Sequence, residues 1–220
     1  MSNKILRLSA VLCGITAAAG LLLSVVQSIT VAPIAKQREH GKESALEAAL
    51  PQAESFSPVP VEEAGIIAEI SKGMKGTAVA GYCFTLKPKG FGGIMTLVCG
   101  IADDGRVTDI SILESGETPG LGAKASEPAF AGQFRGRRSD GDLTVVKTHP
   151  ENDRQIQAIS GATITSRAVT DAVNEARRYW SEHFKASTGE IQAHSSAEVN
   201  AGAAGRGDDP GKSSPTEGAK

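Results

Sequence analysis

From Leu8 to Ala35 the chain runs without a charged residue, LSAVLCGITAAAGLLLSVVQSITVAPIA, between Lys4 and Arg7 on one side and Lys36 and Arg38 on the other. At about 1.5 Å of helical rise per residue, this run exceeds the roughly 30 Å hydrocarbon thickness of a bilayer and predicts a single transmembrane helix. A cleavable signal sequence is the competing reading, with Lys4 and Arg7 as its basic start. The run outlasts the about 7–15 apolar residues of such segments, and Pro33 would directly follow a cut at Ala32, so an uncleaved anchor is favoured. The flanking charges lean toward a cytoplasmic N-terminus and an exported domain.

Past the apolar run, Lys36 to Leu50 carries Ala45, Leu46, Ala48, Ala49 and Leu50 and predicts a helical stalk closed by Pro51. The stretch QAESFSPVPVEEAG reads as a linker by its proline content, with the globular part starting near residue 60. Three strands are predicted next, at Thr77–Lys87, Ile94–Ala102 and Arg106–Leu113. Asp103, Asp104 and Gly105 supply a hairpin turn between the second and third, so an antiparallel meander is expected.

A loop, GETPGLG (Gly116 to Gly122), leads to a short helix near Pro128 in which Phe130 and Phe134 lie one turn apart on one face. Two more strands are predicted at Asp142–Lys147 and Gln155–Ile159. A last helix, about Ile164 to Phe184, carries a buried stripe of Ala168, Val169, Ala172, Val173, Ala176, Tyr179, Trp180 and Phe184, opposite Arg167, Asp171, Glu175 and Arg178. Beyond Lys185 the composition turns to Gly, Ala, Ser and charged residues, too poor in apolar groups to offset about 1–2 kcal/mol of ordering entropy per residue, and disorder is expected. The expected division is 1–35 tail and anchor, 36–60 stalk and linker, 61–184 domain, 185–220 disordered tail. The fold class is α+β: one transmembrane helix, then a largely antiparallel sheet with packed helices.

The 220 residues suffice for one ordinary domain with appendages. A net charge of −2, with Lys and Arg not gathered into a stripe, sets nucleic-acid binding aside. Cys13, Cys83 and Cys99 show no C-x-x-C spacing, and His40, His149, His183 and His194 are scattered, so no metal site is indicated. Cys83 and Cys99 either pair or stand as two lone core thiols.

Chemistry concentrates at SGATITS, Ser160 to Ser166, between the last strand and the last helix. Gly161 and Ala162 remove bulk so that a large group can approach the backbone, while Ser160, Thr163, Thr165 and Ser166 bring hydroxyls. The first N–H groups of a helix starting near Ile164 point back toward Thr163, where a phosphate would be well placed. The plainer account makes Ser160 or Thr163 an ordinary N-cap.

With an N-terminal span, ETPGLG at Glu117 to Gly122 and SGATITS in this order, the sequence resembles the FMN-binding domain family, specifically the G subunits of Rnf-type ion-translocating ferredoxin:NAD oxidoreductase complexes. It is also similar to the C subunits of sodium-pumping NADH:quinone oxidoreductases. The likeness runs from the anchor to about Phe184. It implies one FMN joined to Thr163 by a phosphoester, installed by a separate flavin transferase, with the neighbouring Ser160, Gly161, Ala162, Ile164, Thr165 and Ser166 forming the site. It also sets the ETPGLG loop against the flavin ring. There Pro119 would stiffen the loop, Gly120 and Gly122 would allow close approach, Leu121 would pack on a ring face, and Glu117 and Thr118 would hydrogen-bond the ring edge or the backbone. This chain departs from the family at Gln157, where the transferase signal usually has an acidic residue. GFGG, Gly90 to Gly93, reads first as a turn and second as a further flavin contact through Phe91.

The resemblance implies an electron-carrying subunit of a membrane complex, with no substrate turnover of its own, partnered by other membrane and peripheral subunits. Its expected place is the cytoplasmic membrane, with the flavin domain outside. The alternatives are a C-type subunit of the quinone reductase, a membrane-bound FMN regulator, or a non-redox anchor or assembly subunit in which SGATITS only starts a helix.

Overall fold

In the computed structural model, which describes residues 2–61, 65–138 and 140–185, the apolar run and the stalk are one unbroken helix, α1 (Ser2–Ala49). Pro33 lies inside it without ending it. Side chains of the apolar run such as Leu8, Leu12, Leu22 and Ile29 are exposed, an arrangement that lipid would satisfy and water would penalise. The last turns differ: Ala45, Leu46, Ala49 and Leu50 are buried against a sheet.

That sheet is an antiparallel meander in chain order, β1 (Ser55–Val59), β2 (Ile67–Lys75), β3 (Ala78–Leu86), β4 (Thr96–Ala102) and β5 (Val107–Glu114). The predicted hairpin between β4 and β5 is present. Gly105 takes φ of 80°, and the Arg106 N–H donates to Asp104 Oδ1 at 3.0 Å. Two three-residue strands, β6 (Thr144–Val146) and β7 (Gln155–Gln157), pair in parallel as a separate ribbon. Between β5 and β6 the chain forms a short helix, α2 (Pro128–Ala131), extended by a tight turn through Phe134. Phe130 and Phe134 are buried edge to face at 5.5 Å. The long closing helix is α3 (Thr163–His183).

Alternation along the strands divides the core in two. Ala80, Cys83 and Val98 face the end of α1. Tyr82, Phe84, Leu86, Leu97, Cys99 and Ile101 face α3, which meets them with Val169, Ala172, Val173, Ala176 and Trp180. Cys83 and Cys99 therefore lie on opposite faces, both free and buried, which excludes pairing between them. Burial pushes the Cys83 thiol up to about 12 and raises that of Cys99 as well. Polar side chains interrupt the stripe of α3, Thr170, Asn174 and Arg177 among them. Asn174 exchanges hydrogen bonds with the Leu143 backbone at 2.8 and 2.9 Å. Buried Arg177 donates to the Gly141 carbonyl at 2.7 Å, which ties the segment before β6 onto the helix.

Within the segment predicted as a linker, Gln52 to Gly65, Ser55–Val59 is instead strand β1, paired with β2 from Ser55↔Met74 to Val59↔Ile70. Pro58 concealed it. At a sheet edge a proline costs little, because the missing N–H can fall on the side with no neighbour. Strand β2 was not anticipated, because a register shift between Ile67 and Glu69 breaks its alternation, leaving Ile67 and Ile70 buried out of phase. The tail expected to be disordered lies outside the described residues beyond Lys185.

Close approach, not only apolar area, seats α1. Thr108 Oγ1 donates to the Ala49 carbonyl at the helix end. A Cβ on Gly100 would fall 2.1 Å from that same oxygen, and one on Gly73 2.5 Å from Leu50 Cδ2. Arg38 pairs with Glu114 at 3.1 Å and Lys42 with Glu69 at 2.5 Å, nearer the apolar run.

Gly100→Val should lower stability by about 1–3 kcal/mol, the usual cost of overpacking, with a matching fall in the denaturant midpoint. Iodoacetamide at pH 8 should leave Cys83 and Cys99 unmodified in the folded protein and label both after unfolding, as peptide mass mapping would read.

Candidate functional site

The start of α3 is built without the usual cap. Its N-cap residue is Ala162, at φ −133° and ψ 43°, whose methyl group accepts nothing, and no side chain caps the helix. The plainer account of SGATITS, with Ser160 or Thr163 as N-cap, is thereby overturned: Thr163 is the first residue of the helix and Ser160 is an exposed residue before it. The N–H groups of Thr163, Ile164 and Thr165 precede the first intrahelical bond, which the Ser166 N–H donates to the Ala162 carbonyl at 3.0 Å, and the positive end of the helix dipole lies behind them.

Ser166 shapes the turn from inside. Fully buried, its hydroxyl accepts from the Ile159 N–H at 3.0 Å and donates to the Ala162 carbonyl at 2.9 Å. Gly161 turns the chain at φ of 79°, and a Cβ there would meet Leu121 Cδ2 at 3.1 Å. Leu121 of the ETPGLG loop thus rests on the glycine of SGATITS, joining two motifs far apart in sequence.

Glu117 makes the second junction. Its side chain is buried, Oε2 accepting from the Thr165 hydroxyl at 2.8 Å and Oε1 from the Gly92 N–H at 3.0 Å. A Cβ on Gly90 would come 2.2 Å from Oε1, and one on Gly122 2.3 Å from Oε2. These glycines are the room in which the carboxylate sits. Gly92 also passes so close to the Gly116 carbonyl that its Cβ would lie 2.1 Å away. GFGG is therefore a turn, closed by Gly90 N–H to the Gly93 carbonyl at 2.8 Å, and at the same time the third wall of the site.

These walls enclose a cleft of about 410 Å3, lined by Phe91, Glu117, Thr118, Leu121, Gly122 and Gly161 to Thr165, within the about 300–1,000 Å3 of small-molecule sites. Of the residues singled out from sequence, nine reach this cleft: Glu117, Thr118, Leu121, Gly122, Gly161, Ala162, Thr163, Ile164 and Thr165. Ser160 lines a neighbouring groove instead. Gly120, at φ of 78°, serves the loop's turn, and Ser166 faces the interior. Phe91, the second reading of GFGG, also lines the cleft: the aromatic residue set among three glycines is 71% exposed there.

The fold presents a small-molecule cleft in a small domain that follows a long apolar helix, and comparison with known proteins gives its class, an FMN-binding domain. The model of the FMN-binding domain matches residues 90–178. The G subunit of the proton-translocating ferredoxin:NAD(+) oxidoreductase complex of Clostridium ljungdahlii is 38% identical, the match covering 71% of this chain and 81% of that protein. The G subunit of the Na(+)-translocating ferredoxin:NAD(+) oxidoreductase complex of Acetobacterium woodii is 36% identical, over 77% and 88%. In fold the chain resembles the crystal structure of the C subunit of the Na(+)-translocating NADH-quinone reductase of Parabacteroides distasonis, with a TM-score of 0.53, 19% identity, and coverage of 71% and 96%. The chain belongs to the family of G subunits of ion-translocating oxidoreductase complexes.

The residues present fit FMN. The open first turn of α3 suits its phosphate, and Phe91, Leu121 and Ile164 give exposed apolar surface beside it for a flat ring.

Thr165→Val should destabilise the domain by about 1–3 kcal/mol, because it leaves the buried Glu117 carboxylate short of a donor. Thr165→Ser should restore most of that stability. Urea denaturation of the three proteins side by side checks this.

Proposed function

We propose that the chain is the electron-carrying subunit of a membrane-bound, Rnf-type ferredoxin:NAD oxidoreductase complex that moves ions, and that it works through one FMN held by a phosphoester to Thr163. The observation that carries this reading is the meeting of SGATITS and ETPGLG in one cleft, with Thr163 first in an uncapped helix. Bound FMN supplies reversible uptake and release of electrons. The protein's part is placement. Thr163 Oγ1 is the tether, the first-turn N–H groups neutralise phosphate charge, and Gly161 and Ala162 keep side chains clear of it. Glu117, by holding Thr165 and Gly92, fixes the distance between the helix start and the wall that carries Phe91.

In this reading α1 crosses the cytoplasmic membrane once and holds the flavin domain on its outer side, and the other subunits of the complex give and take the electrons. A flavin transferase loads Thr163 during maturation. Gln157, standing where its signal usually has an acidic residue, is exposed and holds Gln133 through its backbone: its N–H donates to Gln133 Oε1 at 2.7 Å. The side chain is thus free for an outside enzyme to read. Both relatives named above by sequence are ferredoxin:NAD complex subunits, which favours that complex over the quinone reductase.

Produced with the transferase, the wild-type chain should stay fluorescent under ultraviolet light after denaturing electrophoresis, and Thr163→Val should not. Intact mass and mapping of the SGATITS peptide should find the flavin on residue 163. A colourless wild type with an unmodified residue 163 would leave the chain a docking or assembly subunit.

A further inference from the structure

The way α1 crosses the sheet sets the direction of the membrane. Arg38 meets Glu114 at the end of β5, Lys42 meets Glu69 near the start of β2, the Leu46 carbonyl lies 3.8 Å from Cys83 Sγ, and the Ala49 carbonyl reaches Thr108 at the start of β5. The helix thus travels from the Glu114 end of the sheet to the opposite end, and its N-terminal continuation projects past Glu114. Arg38 is less than one turn beyond Ala35, the last residue of the uncharged run. β3 and β5 each run antiparallel to β4 and so end at the same edge. From that edge emerge the loop beginning at Ser115 and the hairpin from Lys87 to Met95. The cleft lies at the membrane end of the domain.

Exposure agrees with this placement. Among the described residues outside α1, the exposed large apolar side chains are Phe91, Ile94, Leu121 and Ile164, all around the cleft. Ile94, 68% exposed, is not one of the residues lining it. Lys89 pairs with Ile94 across the hairpin, and Lys87 and Lys89 are exposed at its base. Apolar tips with lysines behind them suit the boundary between acyl chains and anionic headgroups.

Building on the reading of α1 as a transmembrane anchor, we propose that the Lys87–Ile94 hairpin is a membrane-interface contact. Phe91 and Ile94 enter the headgroup region of the bilayer that α1 spans, and the flavin cleft opens along the lipid surface. The hairpin thereby fixes the cleft's height and limits its exposure to bulk water.

Added tryptophans test this in the full chain, reconstituted into phosphatidylcholine and phosphatidylglycerol vesicles with or without bromine near the top of the acyl chains. The emission of the unsubstituted chain in each lipid is subtracted first, which removes buried Trp180, and the ratio of the remainders between the two lipids cancels any flavin quenching. Ile94→Trp, with Phe91→Trp as second probe, should lose roughly half its emission in brominated lipid, since interfacial groups sit about 5–10 Å into that boundary. Lys75→Trp, at the far end of the sheet, should lose none. If Ile29→Trp, about two turns inside the end of the apolar run, is quenched while positions 91 and 94 behave like position 75, the hairpin proposal is overturned and the anchor stands. Protection of 91 and 94 only in the assembled complex would likewise overturn it, in favour of a protein partner on this face. An unquenched Ile29→Trp would remove the anchor and the proposal together.

Discussion

A single buried carboxylate organises the site. Each oxygen of Glu117 takes a hydrogen bond from a different segment, Thr165 at the start of α3 and Gly92 in the GFGG turn, while its own backbone belongs to the ETPGLG loop. Three stretches of chain are thus referred to one group. Burying a charge is expensive unless it is hydrogen-bonded, and the surrounding glycines are the means by which donors come near enough. Where other proteins clamp a site with long side chains, this one removes side chains, and Gly90, Gly92 and Gly122 pack directly on the acid.

The same device recurs on the other face of the sheet. Gly73 and Gly100 let the last turn of α1 lie almost on the strands, and Thr108 satisfies the carbonyl that a helix end leaves open. The end of α1 is therefore part of the second core of the domain, and the sheet is shared between the helix that carries the apolar run and the helix that starts the site.

Much of this was legible in the sequence because its signals are local. The charge-free run, the Asp-Asp-Gly turn and the stripe of α3 each follow from spacing within one element. SGATITS stood out through small residues beside hydroxyls at a strand-to-helix junction. What escaped depends on partners distant in sequence. β1 looked like a linker because Pro58 is tolerated only at an edge, and edges are defined by topology. β2 was hidden by a register shift. The parts of the hydroxyls also separated only in three dimensions. Ser166 serves the turn, Thr165 serves Glu117, and Thr163 is left at the cleft. Gly100 and Gly92 gave no warning of the close approaches they permit.

Because α1 continues without a break from the apolar run into the sheet's second core, it has a phase as well as a length. Each residue of α helix turns about 100° and rises about 1.5 Å. Removing one residue between Ala35 and Arg38 would swing the whole domain by more than a quarter circle about the helix axis, aiming the cleft at different neighbours. Two insertions would nearly reverse it. The spacing of that short stretch therefore acts as a compass bearing.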